Sequence, residues 1–338
     1  MEEGITIVLD SNDILSGVCG VNDQNLKVIA GCLGGRINTR GNEISIAGLD
    51  EAGQDRFRTV IDSLIHSVKE GECPSAEYVE ALTGIFVQDI PVTSIEKNNE
   101  EENGQGKMPG KNSLAALRDN VIQIPQGFAK VFPRSQNQAQ YIRGMREHEI
   151  SFCVGPAGTG KTYLAIAEAL RLVLSKKMRK LVLTRPVVEA GESLGYLPGD
   201  LAQKINPYLR PLYDAMEALA PYEAIHHLED TRAIEVAPLA YMRGRSLNDC
   251  VVILDEAQNT TKEQMKMFLT RIGRGARAVI TGDTTQIDLP KRVDSGLLHA
   301  LSLLSGVEGI FISYLNTADV VRNPLIKKII EAYDAEKK

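Results

Sequence analysis

"GPAGTGKT", residues 155–162, lies between the apolar run ISFCV (150–154) and the helical pattern YLAIAEALRLVL (163–174). Its reading decides the fold. Gly155, Gly158 and Gly160 let the loop, which also includes Pro156, Ala157 and Thr159, curl so that its backbone N–H groups (all but proline's, which has none) converge on phosphate oxygens. Lys161 supplies a mobile cation for the β- and γ-phosphates, and Thr162 a hydroxyl for Mg²⁺. The helix that follows turns its positive N-terminal end toward the same anion. Strand before and helix after are the context that separates a phosphate-binding loop from a glycine-rich turn beside a surface lysine.

Working outward, short apolar runs alternate with helical patterns beyond residue 120: ISFCV, KLVLT, AIEVAPL, CVVILD, RAVITG and GIFISYL. This alternation predicts a parallel sheet covered by helices on both faces, with functional loops at the C-terminal strand edges. "CVVILDEAQ" (250–258) is a strand that ends in two carboxylates. Asp255 is placed to hold hydrated Mg²⁺, and Glu256 to orient and deprotonate an attacking water. That pair favours hydrolysis over phosphoryl transfer to a small molecule. "ITGDTTQ" (280–286) ends a third strand. Asp283 and Gln286 fall beside the two carboxylates if both strands flank the P-loop strand, and Gln286 then senses the γ-phosphate or positions water.

The first part of the chain reads differently. GITIVLD is a strand, NDQNLKVIAGCL a short helix opened by a capping Asn or Asp, and RINTR with EISIAG a hairpin around residues 40–43. LDEAGQDRFRTVIDSLIHSVKEG follows as an amphipathic helix, so the order β-α-β-β-α predicts a small α/β module over 1–93. Gly31-Cys32-Leu33-Gly34 has the spacing of a KH RNA-binding loop. Such a loop is followed by a helix, whereas a strand pattern follows here, and a helix C-cap at Gly31 is the simpler reading. "SIEKNNEEENGQGKMPGKNS" (94–113) is polar and aperiodic, a linker to the nucleotide-binding part, 114–338.

Composition sets the outer bounds. The 338 residues, 43% hydrophobic and 24% charged, are those of an ordinary globular chain with room for two cores. No signal-peptide pattern or long apolar run is present, so the expected location is cytoplasmic, without a membrane role. Cys153 and Cys250 sit in core-strand patterns, and the five cysteines show no metal spacing. His226 and His227 are adjacent but have no further ligand pattern around them. The net charge of −6 divides unevenly: residues 1–120 carry 10 basic and 20 acidic side chains, the remainder 28 and 24. The basic half holds the phosphate motif, which favours an anionic partner there.

Together GPAGTGKT, VVILDEAQNTT, FLTRIG and ITGDTTQIDLP, with LTRPVVEAGESLGYLPGDL and AYMRGR, closely resemble the PhoH-like ATPase family over residues 121–338. The N-terminal module and linker resemble its longer, YbeZ-type branch. The resemblance implies a P-loop NTPase α/β domain, RecA-like and related to superfamily 1 helicases, that uses ATP and Mg²⁺. It also implies a ring of identical subunits, such as a hexamer, and work on RNA with a YbeY-type endoribonuclease and ribosome-maturation factors. Carried over through "PRSQNQAQY", it puts Gln138 on the adenine edge and Tyr141 near the base. It assigns nucleic-acid or phosphate contact to Arg185 of LTRP and to Arg243 and Arg245 of AYMRGR, with Ser246 where the family has Thr. In "DVVRNPLI", Asn323 replaces the family's His and Arg322 is retained. Each arginine also fits a surface or salt-bridge role. A helicase of this superfamily uses two lobes, and 121–338 suffices for one. An arginine entering from a neighbouring subunit, Arg322 or else Arg271, would complete the site. Two functions follow: an ATP-driven RNA remodeller, or a slow nucleotide-gated switch acting through a partner protein.

Overall fold

A computed structural model describes residues 4–71, 73–87, 119–186, 201–290 and 292–320. The linker 94–113, most of the stretch after LTRP, Arg322 and Asn323 lie outside the described residues. Contacts divide the chain into two units, Met1–Asn120 with Phe132–Gln136, and Val121–Val131 with Asn137–Lys338.

In the N-terminal unit, β1 (Ile5–Val8) is followed by α1 (Asn12–Cys19) and α2 (Gln24–Leu33). Then come β2 (Arg36–Arg40), β3 (Glu43–Ala47), α3 (Glu51–Lys69) and α4 (Ala76–Val87). The strands form an antiparallel sheet in the order β1-β3-β2. Gly41, at φ 63°, opens the two-residue turn of the expected hairpin, the position where such a turn takes glycine. The core is built on the α3 stripe Phe57, Val60, Ile61 and Leu64, all fully buried, against Ile44 and Ile46 of β3. This 3- and 4-residue spacing is the apolar face of one helix. Asp50 starts α3 by accepting the Gly53 N–H at 2.8 Å.

Three expectations change here. The order is β-α-α-β-β-α-α, because Ser11 caps an additional helix, α1, and Tyr78, Val79 and Leu82 of α4 enter the same core. The residue before α2 is Asp23, at φ 56° and without a side-chain capping bond, so neither Asn22 nor Asp23 caps it. Gly31 lies inside α2, with nothing near the place of its missing Cβ. The helix stops three residues later at Gly34, at φ 80°, because that glycine takes the left-handed conformation and leads directly into β2. Residues 31–34 therefore do not join two helices.

The C-terminal unit opens with β4 (Ile122–Gln123), β5 (Lys130–Val131) and α5 (Gln136–Glu147). It continues through β6 (Ile150–Val154), α6 (Lys161–Leu174), β7 (Lys180–Arg185), α7 (Leu201–Glu217), α8 (Tyr222–Asp230) and β8 (Ile234–Pro238). The last elements are β9 (Cys250–Leu254), α9 (Lys262–Leu269), β10 (Arg277–Gly282), α10 (Gly296–Leu304) and β11 (Ile310–Tyr314). All six predicted strands form, in one parallel sheet of order β11-β6-β10-β9-β7-β8. Alternation assigns the two faces: Leu181, Leu183, Val251 and Ile253 pack toward α6 and α7, and Val182, Val252 and Leu254 toward α9 and α10. Both faces are covered, which is why β9 is buried along its whole length.

The sheet order corrects one condition. The strand carrying ITGD, β10, lies between the P-loop strand β6 and β9; it and β9 do not flank β6. Because all six strands run the same way, the residues after β6, β7, β9 and β10 still emerge at one edge. The chain travels from β6 out to β7 and β8 and returns through β9 and β10 to β11, so the connections after the neighbouring strands β7 and β9 leave in opposite directions, the place where parallel α/β sheets open a ligand crevice. This is the α/β fold of P-loop NTPases.

Candidate active site

At that edge lies a cavity of about 300 Å³, lined among others by Lys161, Thr162, Arg185, Asp255, Glu256 and Gln286. The loop from Gly155 to Thr162 forms one wall. Gly158 and Gly160 have φ of 82° and 81°, so an L side chain there would strain the curl. A Cβ on Gly155 would stand 2.5 Å from the Leu315 carbonyl oxygen. Thr159 ties the loop to itself by donating to the Pro156 carbonyl at 2.9 Å. Lys161 donates to the carbonyls of Gly155 and Pro156 at 2.7 and 2.8 Å. Burial pulls its ammonium below the ordinary lysine range, opposed by the carboxylates of Asp283, Glu256 and Asp255. The loop thus stores a cation against its own carbonyls until a better anion arrives.

The facing wall comes from the ends of β9 and β10. Asp255, 3% exposed, accepts hydroxyl donations at Oδ1 from Thr162 at 2.7 Å and Thr281 at 2.6 Å. Asp283 accepts the Thr285 N–H and hydroxyl at Oδ1, while its Oδ2 is buried without a partner. A hydroxyl, a carboxylate and an unpartnered carboxylate oxygen in one cavity form the hard oxygen set that suits Mg²⁺. The residues that would hold the ion are Thr162 and Asp255.

Glu256 is 40% exposed by its side chain and has φ 53°, a conformation that turns it away from the strand direction toward the cavity. Its Oε1 accepts from Arg185 at 2.8 Å and its Oε2 from Gln258 at 2.6 Å. Gln258 also accepts the Asp283 N–H at 2.9 Å, and Asn259 and Asp288 exchange two further bonds. The loops after β9 and β10 are therefore tied to each other. Gln286 is exposed on the cavity wall.

Other predicted residues lie elsewhere or act differently. Gln138 is 3% exposed and donates to the Thr159 carbonyl at 3.0 Å, so its amide nitrogen braces the P-loop. Tyr141 is fully buried and donates to the Lys161 carbonyl at 3.3 Å. It supports the loop from beneath and has no face open to a base, which corrects the expectation from resemblance. Arg245 forks onto both oxygens of Glu235 at 2.6 and 2.9 Å; with Lys180 also paired there, Glu235 is held down to about 2. Arg245 is thereby committed to a structural pair. Arg243 is exposed, and neither arginine lines the cavity. Arg271 follows α9, and its carbonyl accepts the Leu247 N–H ahead of β9, at the sheet edge opposite the cavity.

Sequence reasoning assigned no role to Gln258 and Thr281, which hold Glu256 and Asp255, or to the α7 residues Pro211 and Ala215 of the cavity wall. Gln258 was visible in DEAQ, and Thr281 directly precedes the GD step. Nothing in the sequence places α7.

A family model described as PhoH-like protein matches residues 130–334. A PhoH-like protein of Bacillus subtilis is 42% identical over 333 residues, 97% of this chain and 96% of its own length. One from Synechocystis is 41% identical over 331 residues, 97% and 94% of the two chains. Protein PhoH of Escherichia coli K12 is 38% identical over 241 residues, 70% and 67%. Among solved structures, Pif1 helicase from Candida albicans aligns with TM-score 0.32 at 16% identity, covering 58% of this chain and 42% of that one.

Proposed function

The chain belongs to the PhoH-like family, and on that premise we propose that its C-terminal unit binds and hydrolyses Mg-ATP to remodel or process RNA. The observation that carries the reading is the convergence of Lys161, Thr162, Asp255 and Glu256 on one cavity at the C-terminal strand edge. In this reading the P-loop N–H groups and Lys161 hold the β- and γ-phosphates, Lys161 leaving the Gly155 and Pro156 carbonyls to do so. Bound Mg²⁺ supplies charge neutralisation on the phosphate oxygens. Thr162 and Asp255 hold it, and Thr281 keeps Asp255 in orientation. Glu256 accepts a proton from water, whose oxygen bonds to the γ-phosphorus. The bond to the bridging oxygen breaks, and its electron pair leaves on ADP.

RNA as the coupled substrate is supported by the positive balance of residues 121–338 and by the family membership. Assembly into a ring is supported by the cation inventory. Among the described residues only Lys161 and Arg185 bring positive charge to the cavity, whereas an arginine finger contributes about 10³–10⁵ in rate. A neighbour's Arg322 or Arg271 would supply it. The second reading, a slow nucleotide-gated switch that acts through an endoribonuclease, is favoured by one contact, the Arg185 bond to Glu256.

The test is the ATPase rate of the full chain with Mg²⁺, alone and with RNA, single-stranded DNA or an endoribonuclease partner. Mg-dependent hydrolysis raised by RNA is expected. Stimulation by the protein partner alone would favour the switch, and absence of hydrolysis under every condition would refute both.

A further inference from the structure

Arg185 is a residue of the cavity that the chemistry above leaves unused. Register explains its position: Thr184 stands opposite Leu254, so the next residue of β7 meets the two carboxylates after β9. The Arg185 side chain is 15% exposed, with Nη2 3.1 Å from Asp255 Oδ2 and 2.8 Å from Glu256 Oε1. Nη1 donates to the Tyr208 carbonyl of α7 at 2.8 Å, and Nε is buried without a partner.

The contact serves Glu256 and Asp255 differently. Asp255 is already held at Oδ1 by the hydroxyls of Thr162 and Thr281 and needs no arginine for its placement. Glu256 has both oxygens taken, by Arg185 and by Gln258. Each oxygen keeps a second lone pair, but a guanidinium on Oε1 competes with water for that oxygen, and a carboxylate paired with a cation is a weaker base. Gln258 is 1% exposed and tied through its Oε1 to the Asp283 N–H, so it is the fixed donor. Arg185 is the movable one: its Nε is unsatisfied, its partners besides Glu256 are Asp255 Oδ2 and a backbone carbonyl, and it lines the same cavity as Lys161.

We propose that Arg185 is the switch of this ATPase, holding Glu256 off the attacking water until a phosphate oxygen takes the guanidinium. The proposal rests on the reading of Glu256 as the base. Guanidinium and phosphate pair through two parallel charge-assisted bonds, which is the chemistry able to compete with the Glu256 and Tyr208 contacts. Two sources present that oxygen: the terminal phosphate of the bound nucleotide and the phosphodiester of a nucleic-acid strand. Once Arg185 leaves, Glu256 Oε1 accepts the water proton as described above. Arg185 is thus a positioning residue that acts through Glu256.

The experiment measures kcat and KM for Mg-ATP in the full chain, with and without polyuridylate, for the wild type, Arg185→Met and Arg185→Lys. If the phosphodiester releases Glu256, polyuridylate stimulates the wild type. Arg185→Met then raises basal kcat about tenfold, the size of one charge-assisted hydrogen bond, and polyuridylate adds nothing further. If the nucleotide's own phosphate does so, polyuridylate has no effect, kcat is unaltered in Arg185→Met, and KM rises by about tenfold for the same lost contact. Arg185→Lys, which keeps the cation but not the fork, shifts in the same direction by less. In a Glu256→Gln background Arg185→Met should leave kcat unchanged. A tenfold or greater fall in kcat at constant KM, no change in either constant, or a full-sized effect on kcat in the Glu256→Gln background would overturn the switch. Normal turnover by Glu256→Gln alone would instead overturn the base assignment, and the switch with it.

Discussion

The two units differ in how strand direction arranges chemistry. In the C-terminal unit six parallel strands end at one edge, so Thr162, Arg185, Asp255 and Asp283, far apart in sequence, line or face one cavity. In the N-terminal unit three antiparallel strands alternate their ends, so they do not bring the residues that follow them to one edge. The turn there that joins two helices, as a KH clamp does, is Gly20–Asp23. Its fourth residue is Asp23, at φ 56°, where a clamp has glycine. A carboxylate at that place repels a phosphate backbone. Parallel strand ends concentrate function, and antiparallel ones leave the core as the main determinant of that unit's behaviour.

The comparison is most sharply tested by removing chemistry from one unit and packing from the other. Lys161→Ala should abolish ATP hydrolysis and weaken nucleotide binding, measured by turnover and equilibrium titration, with the thermal unfolding of the N-terminal unit unchanged. Phe57→Ala should do the opposite. It empties the centre of the N-terminal core and should destabilise that unit by about 3–5 kcal/mol. Differential calorimetry would read this, and ATPase activity per folded molecule would stay constant. A large activity loss there would break the separation of roles.

Smaller changes refine it. Gln138→Ala removes the donor to the Thr159 carbonyl and should weaken nucleotide binding by about tenfold, the size of one hydrogen bond. The loss should be equal for ATP and GTP, because the brace acts on the loop; a loss confined to ATP would return Gln138 to the adenine edge. Asp50→Ala removes the cap of α3 and should cost the N-terminal unit about 1 kcal/mol, seen as a shifted urea midpoint at constant slope.

These residues also mark what could be read from sequence. The six strands of the C-terminal unit were visible because each is a short, predominantly apolar run between turn residues. The P-loop and DEAQ were visible because their chemistry is local. The helices α1 and α4 were not, since α1 is only eight residues long and the apolar residues of α4 find their partners on α2 and α3. The Arg185–Glu256 pair was hidden for a different reason. It depends on β7 lying next to β9, a fact of sheet order that no local spacing carries. Tyr141 was misread because its distance from the P-loop in sequence does not say that its ring turns into the core beneath Lys161.

The most direct test of the central claim is single-turnover hydrolysis and equilibrium binding of Mg-ATP by Glu256→Gln. The substitution keeps the shape of the side chain and removes its ability to accept the water proton, with the loss of one of the two hydrogen bonds that Glu256 accepts from Arg185 and Gln258. The account predicts near-normal ATP affinity with cleavage slowed by about 10²–10⁴-fold, the contribution of a positioned general base. Cleavage at the wild-type rate with affinity intact would contradict it and assign the base to another residue of the cavity.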